Sequence, residues 1–202
     1  MTRRKVSNPL ALAVLACLAE KPMHPYEVAS TLRTRHKDAS IKLNYGSLYS
    51  VFEALCRHHF IRPQKTVRAG KRPERTIFEL TEAGSVELRD WLSELLARPI
   101  KEYTGFEAGL SLMPVLPPKM ATELLDQRCD SLEIEIATAD SIGALAKSKN
   151  VPRLFIVERE YATMLRRAEL KWLRELSAEI ASGKIDGFDQ WQNWHLAEDD
   201  GE

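Results

Sequence analysis

Residues 45–80 read YGSLYSVFEALCRHHFIRPQKTVRAGKRPERTIFEL, and the expected architecture of the N-terminal half follows from them. Four apolar residues in the first part keep the i, i+3, i+4, i+7 spacing of one buried helix face: Leu48, Val51, Phe52 and Leu55. The second part holds two extended segments, 61–67 and 74–80, separated by a turn at Gly70. The sequence therefore predicts a helix followed by a β-hairpin.

Two more helices are predicted before this one. The apolar segment 10–19 has the composition of a helix buried on nearly all sides, and Pro25 suits the first position of a second helix that ends near His36. The first segment, preceded by the basic residues 3–5, also imitates a secretion signal, but its short apolar run leads directly into another amphipathic segment. Three helices and then a hairpin are the plan of a winged helix-turn-helix.

The outward face of the third helix, predicted from Tyr45 to about His58, is small, polar and aromatic. At 100° per residue, the positions opposite the buried face or at its edges are Gly46, Ser47, Tyr49, Ser50, Glu53 and Arg57. A helix with such a face fits the major groove of DNA and offers hydroxyl groups to base edges. Taken alone, the pattern also fits an ordinary surface helix.

The turn of the hairpin is strongly basic. Between positions 65 and 75 the only acid is Glu74, and the five cations are Lys65, Arg68, Lys71, Arg72 and Arg75. Long cationic side chains on a hairpin tip suit phosphate oxygens, and Arg adds bidentate geometry. We therefore expect a wing that lies along a DNA backbone, the alternative being a solvated basic loop.

The two parts of the chain carry opposite charge, although its 202 residues have no net charge. Residues 1–80 hold 15 Lys and Arg against 6 Asp and Glu, and residues 81–202 hold 14 against 23. A basic module joined to an acidic one indicates an anionic partner, which by charge alone is either nucleic acid or an anionic membrane surface. The chain contains no run of 18 apolar residues, so its sequence predicts no membrane-spanning helix.

Four motifs together resemble the winged-helix domain of the PadR family of bacterial transcriptional regulators over residues 9–100. They are Met23-His24-Pro25-Tyr26-Glu27-Val28, Tyr45-Gly46-Ser47-Leu48-Tyr49, Lys71-Arg72-Pro73-Glu74-Arg75 and Leu80-Thr81-Glu82-Ala83-Gly84. The chain departs from the family where Pro25 and His58-His59 stand in place of glycines. A histidine at the end of the third helix is then expected to accept a left-handed conformation.

The acidic half is predicted to be helical. Thr81 caps a fourth helix that ends at Arg98-Pro99. Its apolar residues are spaced as one face: Leu88, Trp91, Leu92 and Leu95. A short helix lies between prolines within 99–118, and two long helices cover about 118–148 and 152–182. The last of these helices carries apolar residues at alternating three- and four-residue steps: Leu154, Val157, Tyr161, Leu165, Ala168, Trp172, Leu176 and Ile180. Gly183 is expected to end this helix.

This apolar stripe is longer than a small domain needs, so it predicts packing against a second copy of the chain, with the stripe residues from Leu154 to Leu176 at the contact. PadR relatives with a long C-terminal region are similar in pattern, and the resemblance implies a dimer held by these helices. The alternative is a two-helix hairpin that folds back on the N-terminal half.

The remaining features give no catalytic or metal site. The chain has no nucleophile-elbow, phosphate-loop, zinc-protease or dinucleotide motif, so neither an enzyme nor a cofactor is expected. Cys56 and His59 share a helix face, but two ligands without a third do not make a zinc site. Cys129 would sense redox state only if it were exposed beside a cation. Three aromatic residues in the tail either anchor the chain end or cover a ligand: Phe188, Trp191 and Trp194.

The sequence thus predicts a mainly α protein with a small β-hairpin, with a winged helix-turn-helix DNA-binding domain over 1–100 and a coiled-coil-like helical dimerisation domain over 101–202. We expect a homodimeric, cytoplasmic repressor of transcription that binds double-stranded promoter DNA. The resemblance implies a small aromatic effector whose identity differs among members (phenolic acids or drugs), with none known for others. The alternatives are a winged-helix adaptor for protein interactions and an activator that depends on a partner.

The predicted DNA contacts come from the third helix and the hairpin. At or near the bases we expect Asn44, Tyr45, Ser47, Tyr49 and Ser50. On the phosphate backbone we expect Lys42, Lys65, Arg68, Lys71, Arg72 and Arg75.

Overall fold

In the computed structural model, which describes residues 6–67 and 75–199, helix α1 (Pro9–Glu20) is the centre of the N-terminal unit. The Leu10 N–H donates to Asn8 Oδ1 at 2.9 Å, which caps the first turn. Seven of the twelve residues are buried, Cys17 among them, so the prediction of a core helix is confirmed.

Helices α2 (Pro25–Thr34) and α3 (Tyr45–Arg57) pack against α1 and against each other. Pro25 begins α2, as predicted. The Tyr26 N–H donates to His24 Nδ1 at 3.1 Å, and the His24 N–H donates to Glu27 Oε2 at 2.8 Å. These two bonds satisfy donors that a helix start leaves without partners, which stabilises α2 at its first turn.

The hairpin consists of two antiparallel strands, β1 (Ile61–Val67) and β2 (Arg75–Leu80), paired from Ile61 opposite Leu80 to Val67 opposite Arg75. The sequence did not predict a third participant. Met23 and Phe78 exchange two backbone hydrogen bonds of 3.0 Å, so the segment between α1 and α2 adds one bridge to the edge of the hairpin. Strands are recognised in a sequence by alternation of apolar and polar residues, and a single bridging residue cannot show this alternation. The sequence pattern therefore shows no sign of the bridge at Met23.

Helix α4 (Glu82–Ala97) returns the chain from the hairpin to the core. Thr81 caps it by accepting from the Gly84 N–H at 3.0 Å, while the Thr81 hydroxyl donates to the His59 carbonyl at 2.7 Å. Leu88 and Trp91 are buried on the predicted face. Leu92 and Leu95, predicted to share that face, are exposed.

The second unit, Glu102–Glu202, holds the remaining helices. They are α5 (Gly105–Leu112), α6 (Pro118–Ser148), α7 (Val157–Ala181) and α8 (Phe188–Asp199). A short 3-10 turn, Arg153–Phe155, precedes α7, which therefore begins about five residues later than predicted. Gly183 has φ +67 and follows the end of α7, as predicted.

Helices α6 and α7 run antiparallel and share an apolar core. Four ion pairs bridge their outer edges: Arg128–Glu169, Arg166–Glu135, Arg167–Asp140 and Arg174–Glu133. Exposed pairs of this kind contribute about 0.2–1 kcal/mol each, so their main effect is to fix the register of the two helices. Within the described residues, no helix is both long and apolar enough to cross a bilayer.

Candidate nucleic-acid interface and self-association surface

Helix α3 has one buried face and one exposed face. Its four predicted core residues, Leu48, Val51, Phe52 and Leu55, are all at most 5% exposed, so the predicted buried face is confirmed. Since these residues fix the rotation of the helix, the opposite positions face outward. Ser47, Tyr49 and Ser50 are exposed, Tyr49 by 52% of its surface.

The start of α3 is fixed by Asn44. The Asn44 Oδ1 atom accepts the Gly46 N–H at 2.9 Å, which satisfies one of the unpaired donors of the first turn. This bond leaves the amide N–H groups of Asn44 for an external acceptor. Lys42 is exposed and makes no ion pair or hydrogen bond with any residue that the structure describes.

Most of the predicted wing contacts fall on residues the structure leaves undescribed. Arg68, Lys71 and Arg72 lie outside the described residues, as do the side chains of Tyr45, Lys65 and Arg75. The backbone of Lys65 lies in β1 opposite Ile77, and that of Arg75 pairs with Val67. The structure therefore describes the backbone of the two strand ends that flank the basic segment. The predicted phosphate contacts stay predictions.

The outward face of α3 also holds two charged residues that were not among the predicted contacts. Glu53 and Arg57 are exposed and continue the line of Ser50 toward the end of the helix. A rotation of 100° per residue places both residues opposite the buried face, and this position in the sequence could have identified them as candidate contacts. On the neighbouring helix, Tyr26 is exposed by 59% at the first turn of α2.

The end of α3 confirms the expected left-handed histidine. His59 has φ +60, and its N–H donates to the Cys56 carbonyl at 2.9 Å. The Phe60 N–H donates to the Leu55 carbonyl at 2.9 Å, which closes the helix by the bond pattern usual for glycine at this position. Among the described residues, no group of three His, Cys, Asp or Glu side chains is arranged to hold a metal ion.

Helix α7 has two apolar faces. One face, which includes Leu170, Leu173 and Ile180, is buried in the core of the second unit. The other is exposed and contains most of the predicted stripe: Val157, Tyr161, Leu165, Ala168 and Trp172. Leu154, the first residue of the stripe, is exposed in the 3-10 turn that precedes α7. Leu176, the last predicted contact, is half-buried against the unit's own core. The exposed stripe is thus not required for the folding of α7 onto α6.

Two of the three cysteines, Cys17 and Cys129, are buried. Burial raises the pKa of the Cys17 thiol to about 11, while nearby Arg35 lowers it and Glu20 raises it. Cys129 is buried, and its pKa is raised first by burial and then by Asp126. The condition for a redox-sensing Cys129, exposure beside a cation, is therefore not met.

The aromatic tail forms part of α8, a helix that the sequence pattern did not predict. Trp191 is buried, and its indole N–H donates to the Leu116 carbonyl at 2.8 Å, which anchors α8 as expected for the tail. Trp194 is 51% exposed. A groove of about 870 Å³ within this unit is lined by Lys119, Glu123, Ile180, Phe188, Gln192 and His195, among others.

Comparison with known proteins gives a family match over part of the chain and a shared fold. Residues 14–90 match the model of the transcriptional regulator PadR-like family. The structure of Bacillus subtilis PadR in complex with operator DNA superposes with a TM-score of 0.67 at 20% identity, over 86% of this chain and 99% of that one. The same protein in complex with p-coumaric acid gives 0.66 at 18% identity, over 85% and 98%.

A third match is the Vibrio cholerae virulence activator AphA, with a TM-score of 0.62 at 15% identity over 86% of this chain and 98% of that one. No curated protein matches the sequence. The predicted fold, a winged helix followed by a helical C-terminal region, is confirmed by these structures and the family match.

Proposed function

Because residues 14–90 match the transcriptional regulator PadR-like family, we propose that this chain is a regulator of that family. In this proposal it is a homodimeric repressor that binds promoter DNA with α3 and the hairpin. The outward face of α3 carries the proposal. Ser47, Tyr49 and Ser50 are exposed on a helix whose rotation is fixed by four core residues, in the part of the chain with a surplus of positive charge. Hydroxyl groups on such a helix suit base edges in the major groove.

The basic hairpin supplies the second group of proposed DNA contacts. Five cations between positions 65 and 75 would bind phosphates and set the orientation of α3 without reading sequence. Bacillus subtilis PadR, which shares the fold, is bound to operator DNA in its structure. A chromosomal operator would place the proposed action in the cytoplasm.

The exposed stripe of α7 supports a dimer. An apolar face that the unit leaves exposed while burying the opposite face suits a second copy of the same helix. A dimer doubles the phosphate contacts, which matters because one winged helix alone binds weakly at cellular salt. Two-fold symmetry then demands a roughly palindromic site with half-sites about 34–36 Å apart, or a multiple of that distance.

An aromatic acid is the proposed effector. Bacillus subtilis PadR has been solved with p-coumaric acid, and the groove beside α8 is lined by the apolar side chains of Ile180 and Phe188, by the cation Lys119 and by the acid Glu123. Titration of p-coumaric acid against the fluorescence of Trp191 and Trp194 tests this part. No change up to millimolar ligand would favour control by expression level or by a protein partner.

One footprint tests the core of the proposal. The full chain should protect a palindromic segment upstream of its own gene from nuclease cleavage, and a position over the promoter would indicate repression. A dimer that protects no DNA would instead favour the adaptor function, and protection upstream of the promoter that requires a second protein would favour an activator.

A further inference from the structure

Glu53 is an acidic side chain on the face of α3 that the proposed function turns toward a polyanion. It is exposed and lies in line with Ser50 and Arg57 at three- and four-residue steps. On this face its carboxylate would meet the negative potential of the phosphates and oppose binding to any DNA sequence. The carboxylate would favour binding only where the duplex presents a hydrogen-bond donor to it.

The carboxylate of Glu53 is available to such a donor. Arg57 stands at the i, i+4 spacing at which acidic and basic side chains pair along a helix, yet the structure holds no ion pair between them. In α7 the same spacing brings Lys171 Nζ and Glu175 Oε1 to 4.0 Å. Glu53 makes no hydrogen bond with another described residue, so its lone pairs are not occupied within that part of the chain.

Cytosine is the base whose major-groove edge fits a carboxylate best. Its N4 amino group donates without an adjacent acceptor, whereas adenine sets the N7 lone pair beside its N6 donor, and guanine presents only acceptors. We propose that Glu53 reads a cytosine in each half-site of the operator and that its charge weakens binding to other sequences. This inference rests on the proposed function, in which α3 enters the major groove.

The test is a selection from randomised DNA duplexes with the full chain and with Glu53→Gln. Wild type should select cytosine at one position of each half-site. Glutamine pairs bidentately with adenine N6 and N7, so the variant should select adenine at that same position. In duplexes that differ only there, the preference for cytosine over adenine should change from roughly ten-fold in favour to roughly ten-fold against.

Two further variants separate base reading from charge. Glu53→Ala should lose the cytosine preference without gaining one for adenine, and should bind unrelated duplex several-fold more tightly than wild type. Asp90→Asn removes the same charge from an exposed position on α4 and should leave the base preference unchanged. Thermal melting of each variant checks that it is folded.

The outcomes are distinguishable. If wild type and Glu53→Gln select the same bases at every position, the proposed role of Glu53 is wrong, although DNA binding stands. If folded wild type selects no sequence, the proposed function fails and the role of Glu53 fails with it.

Discussion

At the level of single residues, the left-handed end of α3 is a point of strain that a substitution can relieve. His59 is exposed at φ +60, where a side chain with a Cβ atom is unfavourable by about 1–2 kcal/mol relative to the right-handed region. Glycine has no such penalty, although it loses more backbone entropy on folding. His59→Gly should therefore raise the free energy of unfolding by about 0.5–1 kcal/mol, measured in urea.

The neighbouring histidine provides the matched control for this prediction. His58 has φ −93 and its ring lies 6.1 Å from that of Phe60, so His58→Gly relieves no strain and loses a ring contact. Stability should fall in this variant. A destabilised His59→Gly would mean that the histidine side chain makes a contribution larger than the backbone strain.

The buried thiol of Cys17 predicts a pH dependence of stability. Its pKa rises from 9.0 to about 11 on folding, so the folded chain holds the proton more tightly than the unfolded chain. The resulting stabilisation is fully present below pH 9 and is lost as the pH rises through 11. Urea unfolding of Cys17→Ala should therefore lose less stability between pH 9 and 11 than wild type does. If wild type and Cys17→Ala lose the same stability between pH 9 and 11, groups other than Cys17 cause the loss of stability at alkaline pH.

At the level of elements, α4 depends on one glycine for its approach to the hairpin. A Cβ atom at Gly84 would lie 2.0 Å from the Phe60 carbonyl oxygen, and a backbone atom cannot move aside cheaply. Gly84→Ala should therefore destabilise the N-terminal unit by about 2–3 kcal/mol in thermal or urea unfolding.

Gly109 in α5 is the control for the same change. Among the described residues, no atom outside the neighbouring residues and the backbone of α5 itself lies within 4 Å of the place that an added methyl group would occupy. Gly109→Ala should therefore be neutral or stabilise the chain by up to about 1 kcal/mol. If both substitutions have the same effect, the close contact between Gly84 and Phe60 does not limit the packing of α4.

The sequence pattern predicted a helix or strand correctly where one repeat of apolar residues extends over the whole element. The i, i+3, i+4, i+7 spacing located α3, and both strands of the hairpin were placed to within a residue. The pattern failed where structure depends on tertiary contact. Helix α8 has aromatic residues at three-residue steps and few other apolar ones, and it is held by the bond from Trp191 to Leu116, 75 residues away.

Exposure likewise could not be predicted from apolar character alone. Leu92 and Leu88 belong to the same predicted face of α4, but only Leu88 reaches the core. In α7 most of the predicted stripe lies on the exposed side, whereas its last two residues, Leu176 and Ile180, pack in the core. Both sides of the helix carry apolar residues, and the sequence does not say which side α6 covers. The candidate contacts on α3 were predictable since its apolar residues all lie on one side.

At the level of the whole molecule, the exposed stripe of α7 predicts how the chain self-associates. Leu165→Glu places a charge in the middle of the proposed dimer contact, at a position that the fold of the protomer leaves exposed. The variant should be a folded monomer at micromolar concentration by analytical ultracentrifugation, whereas wild type should be a dimer.

Ile134 on α6 gives the control for this change, since it is 69% exposed and lies outside the stripe. Ile134→Glu should remain dimeric. If the dimer persists in Leu165→Glu and is lost in Ile134→Glu, the dimer contact lies on α6 and not on the stripe. A monomeric wild type would rule out the proposed dimer altogether.

The basic hairpin and the dimer together set the salt dependence of DNA binding. Each phosphate contact that releases a counterion contributes about 0.9 to the slope of log K against log salt concentration. Lys71→Ala with Arg72→Ala removes two cations per chain and four per dimer, so the slope should become shallower by about 3–4, and affinity should fall equally for operator and unrelated duplex.

Removal of two cations from the acidic unit gives the comparison that isolates the hairpin. Lys147→Ala with Lys149→Ala changes the net charge equally at the end of α6 and should leave the slope unchanged. A slope that falls by only about 2 for the hairpin variant would mean that one wing of the dimer touches DNA. An unchanged slope would remove the wing from the interface and leave α3 as the sole contact, which would not account for the concentration of positive charge at positions 65–75.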